Sequence, residues 1–445
     1  MTFEETLASW LPSQRWFAGK GAALDRLRIE AETVLAHGEP GMRHLILSVS
    51  HGGPPVSYQL LIGLRQQVPE RLGHAVIGPW DDGLMAYDAL HDSDLTRLLL
   101  AAMAGQQTIG PLEFASEPGT EIDTSADSLV ISGEQSNTSL LFGEDSILKM
   151  FRRLSPGPNP DLEVPQALAQ LGSGHIARPL GWVQTRSGGE VTVLGILSEY
   201  LRAATDGWTL AATSVRDLYA ADEPSAAEAG GDFAPEAERL GAATAAVHRD
   251  LARAFGTDEL PPGSAADLAE QMQARLEEAL AAVPELGRHA GMLSAAFSDL
   301  AKVDGPLPVQ RIHGDYHLGQ AMRTQTGWVL IDFEGEPARP LAERRARHPA
   351  MRDLAGMLRS FEYAARYQLS PETPNPVVRQ AARDWAHRNQ AAFCAGYADA
   401  GGPDPREQAA LLRAFTLDKA VYEVMYEARH RPSWLRIPLE SLDDA

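Results

Sequence analysis

The sequence predicts an α+β protein of two lobes, the first rich in strands and the second dominated by helices. Three observations carry that expectation. Compact or alternating apolar runs, punctuated by Gly and Pro, fill residues 27–77 and return over 129–198. After Glu199 the pattern changes to long Ala-rich segments whose apolar residues recur at helical spacing, as in Leu240, Val247, Leu251 and Phe255. The chain's 445 residues also exceed what one hydrophobic core ordinarily organises.

The first strand-rich stretch has runs at 27–35, 44–49 and 58–62 that read as a small antiparallel sheet. A helix carrying Leu95, Leu98, Leu99 and Met103 follows and is broken before Pro111. Strands over 129–150, a helix over 162–171 and a strand over 191–198 then give the order β, β, helix, β. A single short strand pair, 309–312 with 328–331, is expected within the helical lobe, where a further helix begins near Ala265. The division that results is 1–110, 111–203 and 204–445, with the main lobe boundary near 200–208.

Composition narrows the function classes. Hydrophobic residues at 44% and charged residues at 22% exclude disorder, collagen-like repeats and coiled coil. A net charge of −21 repels nucleic acid and anionic lipid, so neither is an expected partner. The single cysteine, Cys394, cannot form an intrachain disulfide or a multi-cysteine zinc site, which suits a reducing compartment. With Glu4 and Glu5 near the start and no apolar run of spanning length, a cytoplasmic location is expected and a membrane span is not.

The densest chemistry is Arg311-Ile312-His313-Gly314-Asp315-Tyr316-His317-Leu318-Gly319-Gln320, followed by Leu330-Ile331-Asp332-Phe333-Glu334. An apolar strand, a polar loop and a second strand ending in aspartate can set Asp315, Gln320 and Asp332 around one cavity. Phosphoryl transfer requires that combination: a carboxylate to orient the attacking hydroxyl and take its proton, and hard oxygens to hold Mg2+. Asp315 is the candidate base, Gln320 and Asp332 the candidate metal ligands, and His317 and Glu334 candidate substrate contacts. A lone His-Gly-Asp is common and an isolated aspartate is often a turn or cap; the ten-residue pattern with its downstream aspartate is far more specific.

The matching half lies upstream. Ser132-Gly133-Glu134-Gln135-Ser136-Asn137-Thr138-Ser139 joins two apolar runs as a hairpin whose backbone N–H groups could close over ATP phosphates, although it is neither a Walker loop nor a G-x-G-x-x-G loop. Ser136, Asn137, Thr138 and Ser139 are the candidate nucleotide residues there. Lys149 on the next strand can reach the phosphates, with Glu163 on the following helix as its partner. Glu199 and Leu201 read as a hinge offering backbone groups to adenine, or as a simple strand end. His313 and Asp353 are candidates for bracing the loop, with plain helix capping as the alternative for Asp353. Near the C-terminus Lys419, Tyr422, Tyr426 and Arg429 share one helical face, which suits a sugar or a solvated surface.

These residues resemble the actinobacterial maltokinases, relatives of aminoglycoside and choline kinases within the protein-kinase-like fold. The resemblance rests on Leu11-Pro12-Ser13-Gln14-Arg15-Trp16-Phe17-Ala18-Gly19, Glu134-Gln135-Ser136-Asn137-Thr138-Ser139, Gly230-Gly231-Asp232-Phe233, the 313–320 loop, Ile331-Asp332-Phe333-Glu334-Gly335-Glu336-Pro337 and Asp418-Lys419-Ala420-Val421-Tyr422-Glu423. It implies a bilobal fold with an N-terminal cap subdomain (1–110), an intermediate ATP-binding subdomain (111–203) and a helical C-lobe (204–445). It also implies conversion of maltose to maltose 1-phosphate with ATP and Mg2+, sugar contacts at Lys419 and Tyr422, and association with trehalose synthase. Two departures, Tyr316 where leucine is common and His348-Pro349-Ala350 where Ser-Pro-Leu is common, are expected near the substrate side. Other readings remain: a glucosamine kinase or another sugar kinase, a hydrolase using His313, Asp315 and His317 as metal ligands, and a non-catalytic ATP-binding scaffold.

Overall fold

The computed structural model describes residues 2–17, 19, 24–131, 136–187, 189–221, 224–228, 232–336, 339–369 and 376–444. The chain divides into two compact units, residues 1–166 with 177–202 and residues 167–176 with 203–445.

The first unit opens with α1 (Phe3–Trp10), started by a Thr2–Glu5 capping box that satisfies two otherwise unpaired N–H groups. Five antiparallel strands follow: β1 (Arg26–Ala36), β2 (Gly41–Ser50), β3 (Val56–Arg65), β4 (Val76–Pro79) and β5 (Met85–Asp88), in the order β1-β2-β3-β5-β4. α2 (Ser93–Ala104) is capped by Asp92 and buries Leu95, Leu99 and Met103. A seven-stranded sheet then forms from β6 (Thr108–Ile109), β7 (Leu112–Ser116), β8 (Ser128–Ile131), β9 (Asn137–Phe142), β10 (Ser146–Phe151), β11 (Pro179–Ser187) and β12 (Glu190–Glu199), ordered β6-β7-β11-β12-β10-β9-β8. α3 (Pro160–Gln170) interrupts it between β10 and β11. One apolar core joins Met42, Leu61 and Leu99 to Leu140, Phe142, Leu148 and Leu197, so the two sheets are not separate folding bodies.

The second unit is helical, with α4 (Gly207–Ala220), α5 (Ala234–Phe255), α6 (Ser264–Ala282), α7 (Ala290–Leu300), α8 (Leu341–Arg344), α9 (Met351–Arg366), α10 (Pro376–Asp399), α11 (Ala409–His430) and α12 (Arg436–Leu442). α5 and α10 approach closely because each has a glycine at the contact. A Cβ on Gly241 would lie 2.1 Å from the Phe393 carbonyl, and one on Gly396 would lie 2.0 Å from that of Glu238.

Instead of the expected pair, this unit has two small sheets: β14 (Thr257–Leu260) with β15 (Leu307–Gln310), and β13 (Thr205–Asp206) with β16 (Ala321–Arg323) and β17 (Trp328–Leu330). The segment around Val309 therefore pairs with an early, exposed strand of weak apolar pattern rather than with β17. Among the described residues no helix is long and apolar enough to cross a membrane.

Candidate active site

The loop after β15 is shaped by one buried carboxylate. Asp353, in the first turn of α9, accepts from the His313 N–H at 2.7 Å and the Gly314 N–H at 2.9 Å. It also takes a bond of 3.0 Å from His248 Nε2, whose Nδ1 lies 2.9 Å from the Tyr397 hydroxyl. Burial alone would raise its pKa, but His248, His313 and the Gly314 amide hold it below the usual carboxylate range. Asp353 thus braces the loop as a fixed anion rather than only capping a helix. The loop is also pinned by the Ser360 hydroxyl, which accepts from the Leu318 N–H at 3.0 Å.

His313 sends Nε2 to the Ile331 carbonyl at 2.9 Å, and its ring lies 4.8 Å from Phe333, linking the loop to the segment after β17. The β16–β17 register sets Ala321 opposite Leu330, so the residues just outside the hairpin meet, with Ile331 N donating to Gln320 O at 3.0 Å. Gln320 Nε2 then donates to Asp332 Oδ2 at 3.0 Å. Asp332 has φ of +62°, a left-handed backbone uncommon outside glycine. The donor set fits Mg2+, which binds through one or two protein oxygens and takes its remaining ligands from phosphate and water. Among the described residues no group of three His, Cys, Asp or Glu could hold a metal by itself. His313 and His317 are engaged in the loop's own bonds, His317 Nδ1 accepting from Gly319 N at 3.0 Å, which disfavours the hydrolase reading.

α11 brings Lys419 to this loop, its Nζ 3.7 Å from Asp315 Oδ1 and 4.7 Å from the ring centroid of Tyr422. Tyr422 stacks on Tyr426 at 6.2 Å and hydrogen-bonds Glu336. Glu336 is buried, pairs with Arg339 at 2.8 Å and lies 3.8 Å from Arg352. Its burial favours protonation, yet Lys419, Arg339 and Tyr422 outweigh this and keep its carboxyl below the ordinary range. His317 is pushed down by burial, against the pull of Asp315.

In the first unit, Lys149 Nζ pairs with Asp161 Oδ2 at 2.9 Å; Glu163 lies half a turn further along α3. Ser136 is exposed and Asn137 half-buried, whereas Thr138 and Ser139 are buried. The Thr138 hydroxyl accepts from Arg152, so this buried pair supports the hairpin rather than lining its outer surface. Residues 132–135 lie outside the described residues. Glu199 ends β12, bonds Arg178 at 2.7 Å and is followed by half-buried Leu201.

The structure thus brings Asp315, Gln320, Asp332, His313, His317, Asp353, Lys419 and Tyr422 into one connected set. Glu334 adjoins it, its carbonyl accepting from Arg344 at 3.1 Å, and Tyr426 extends it outward with 41% exposure. Tyr316 does not face a substrate: it is buried, its hydroxyl 2.7 Å from Thr244 on α5. Sequence reading misses Asp161, Glu336, Arg339 and Arg352. Only Asp161 has a usable signal, an acid in the first turn of the helix after the lysine strand.

Residues 130–412 match the phosphotransferase enzyme family, and residues 10–92 match the maltokinase N-terminal cap domain. The chain is 30% identical over 363 residues to a glucosamine kinase of Streptacidiphilus jiangxiensis, covering 78% of this chain and 80% of that protein. It is 32% identical over 329 residues to a glucosamine kinase of Mycolicibacterium smegmatis, covering 69% and 77%. A solved glucosamine kinase in complex with glucosamine, ADP and inorganic phosphate superposes with a TM-score of 0.70 at 24% identity over 100% of this chain and 99% of that one, which shows the shared kinase-like fold. The chain therefore belongs to the phosphotransferase enzyme family, as an ATP-dependent, maltokinase-like sugar kinase carrying the maltokinase-type cap.

Proposed function

We propose that the enzyme phosphorylates maltose, a neutral sugar, at its anomeric hydroxyl to give maltose 1-phosphate. The observation that carries this reading is the Lys419 ammonium beside Asp315. A protonated aminosugar placed there meets a like charge, at a cost of about 1–4 kcal/mol at 4 Å between exposed and surface-like dielectric conditions. A neutral sugar meets only hydrogen-bond donors and the Tyr422 and Tyr426 rings. Glu336, which could otherwise attract an ammonium, is already paired with Arg339.

In this reading Asp315 accepts the proton of the hydroxyl as its oxygen attacks the γ-phosphorus, and the bond to the bridging oxygen breaks to release ADP. Lys149, Asp161 and Glu163 serve the nucleotide phosphates, with Ser136 and Asn137 on the hairpin and the 199–201 backbone as the adenine hinge. Gln320 and Asp332 would hold Mg2+, which neutralises phosphate charge. His313 and Asp353 hold the loop, while His317, Glu334, Lys419, Tyr422 and Tyr426 face the sugar. Residues 1–110, 111–203 and 204–445 serve as the cap, ATP-binding and sugar-binding segments. The same reading places the product ahead of α-glucan synthesis in the cytoplasm and makes trehalose synthase the partner to test.

The names of the two curated relatives favour a second reading, glucosamine as acceptor. ADP release with Mg-ATP and maltose, glucose, glucosamine or trehalose, followed by NMR location of the phosphate, separates them. Turnover of maltose to the 1-phosphate supports the proposal; turnover of glucosamine with maltose inert overturns it.

A further inference from the structure

Both strands that bound the 132–135 loop are anchored to the cap. Alternation along β10 turns Lys149 and Phe151 to one face, where the ammonium lies 5.5 Å from the ring centroid, and the register sets Met150 opposite Thr138. Arg152, one residue beyond the strand, is buried behind it. Its Nε donates to Thr138 Oγ1 at 2.8 Å, its Nη2 pairs with Asp88 at the end of β5, and its guanidinium carbon lies 4.6 Å from the Trp16 ring centroid. Asp88 and Trp16 both belong to the cap, within the 10–92 match.

An independent tie holds the other strand. Ser128, the first residue of β8, lies with its Oγ 2.7 Å from Thr96 Oγ1, and its N–H donates to Ser93 Oγ at 3.2 Å. Ser93 and Thr96 sit in the first turn of α2. Gln59 of β3 adds a third tie, its N–H donating to the Arg152 carbonyl at 2.9 Å and its side-chain amide to the Phe151 and Leu194 carbonyls.

We propose that the cap is a working component of the nucleotide site: Arg152 and Ser128 carry its geometry to both strands of the phosphate hairpin and set the affinity for ATP. A buried ion pair adds little net stability but fixes one arrangement strongly, because any displacement leaves a buried charge unpaired. Here that arrangement is the spacing of the two strands from which the loop departs. Cap movement, by mutation or by a partner bound to the cap, therefore alters ATP affinity before it alters sugar affinity. The inference rests on the reading of this hairpin as the nucleotide site.

The test uses the full chain with three changes: Arg152→Met combined with Asp88→Asn, which leaves no buried charge unpaired; Arg152→Lys; and Thr96→Val, which cuts the second tie from within the cap. Mg-ATP affinity is measured by calorimetry and KM is measured for both substrates. The charge-free double variant is expected to weaken ATP binding and raise its KM roughly tenfold, with the sugar KM within about twofold. Arg152→Lys should recover some of the loss, and Thr96→Val should weaken ATP several-fold. Lys149→Met runs in parallel. If it weakens ATP use while the cap variants bind ATP as the parent does, the brace is wrong and the nucleotide reading stands. If Lys149→Met also leaves ATP use unchanged, both fail. Should the double variant not fold, Thr96→Val decides alone: parental ATP affinity in it overturns the proposal.

Discussion

The Lys419 ammonium stands 3.7 Å from the carboxylate of Asp315 while lying over the ring of Tyr422, so one side chain touches both the candidate base and the aromatic face of α11. A sugar hydroxyl bound between them takes a donor from Lys419 and an acceptor from Asp315. Lys419→Ala is predicted to raise the KM for maltose by about 5- to 100-fold, the equivalent of ~1–3 kcal/mol, with little change in the KM for ATP. Steady-state kinetics with each substrate varied in turn checks this, and an equal rise in both constants points instead to a packing role.

Gly356→Ala tests the support of the catalytic loop. Alanine favours a helix interior by about 1 kcal/mol over glycine, so α9 itself gains. A Cβ there would lie 2.5 Å from the carbonyl of Tyr316, however, and that backbone atom adjoins Asp315. The loop must shift by a fraction of an ångström or more. The expected result is a kcat lower by ten- to a hundredfold, on the order expected for misplacement of a catalytic group, with unfolding temperature nearly unchanged. A parental kcat would show that the loop tolerates the displacement.

Removing either oxygen of the Gln320–Asp332 pair should change the metal requirement as well as the rate. Gln320→Ala and Asp332→Asn are each predicted to cut activity sharply and to shift the activation curve to higher Mg2+. Activity titrated from micromolar to tens of millimolar Mg2+ reads this directly; a parental metal profile would locate the metal elsewhere.

The two halves of this site are unequally legible in the sequence. Asp315, Gln320 and Asp332 can be read because strand spacing alone brings them together: an apolar strand, a short loop and a hairpin leave little freedom in where the ends fall. The capping alternative for Asp353 gives way to bracing because His248, more than a hundred residues earlier, meets its carboxylate, a tertiary contact that no local pattern encodes. Glu336 and Arg352 look like ordinary surface charges, and their burial follows only from how α9 and α11 pack around them. Thr138 and Ser139 look ligand-facing by composition alone, although the Arg152 contact turns Thr138 inward. The partner of β15 escapes sequence reading for the same reason, since β14 is short, polar and exposed.

The cap should lose stability on mild acidification through His44. Burial pushes its imidazole down to about 4, against the opposing bond from Gln59. Its folded value is depressed below the ordinary 6.5, so the unfolded chain binds the proton first. The contribution is fully present above pH 6.5 and is lost as pH falls towards 4, amounting to about 3 kcal/mol in all. Denaturant unfolding at pH 7 and pH 5 should differ by about 2 kcal/mol less in His44→Gln than in the parent. An identical pH dependence in both proteins would show that His44 is not held neutral.

The most direct test of the mechanism is Asp315→Asn, with ATP affinity measured by calorimetry in Mg2+ and maltose 1-phosphate formation followed by NMR on the same preparation. Asparagine keeps the side chain's size but cannot take the proton of the attacking hydroxyl, and losing a positioned base costs ~10²–10⁴-fold. The groups proposed to bind ATP, Lys149 with Asp161 and the Gln320–Asp332 pair, are untouched by the change. The account predicts parental ATP affinity with product formation reduced by at least about a hundredfold. Product formation near the parental rate would contradict Asp315 as the base.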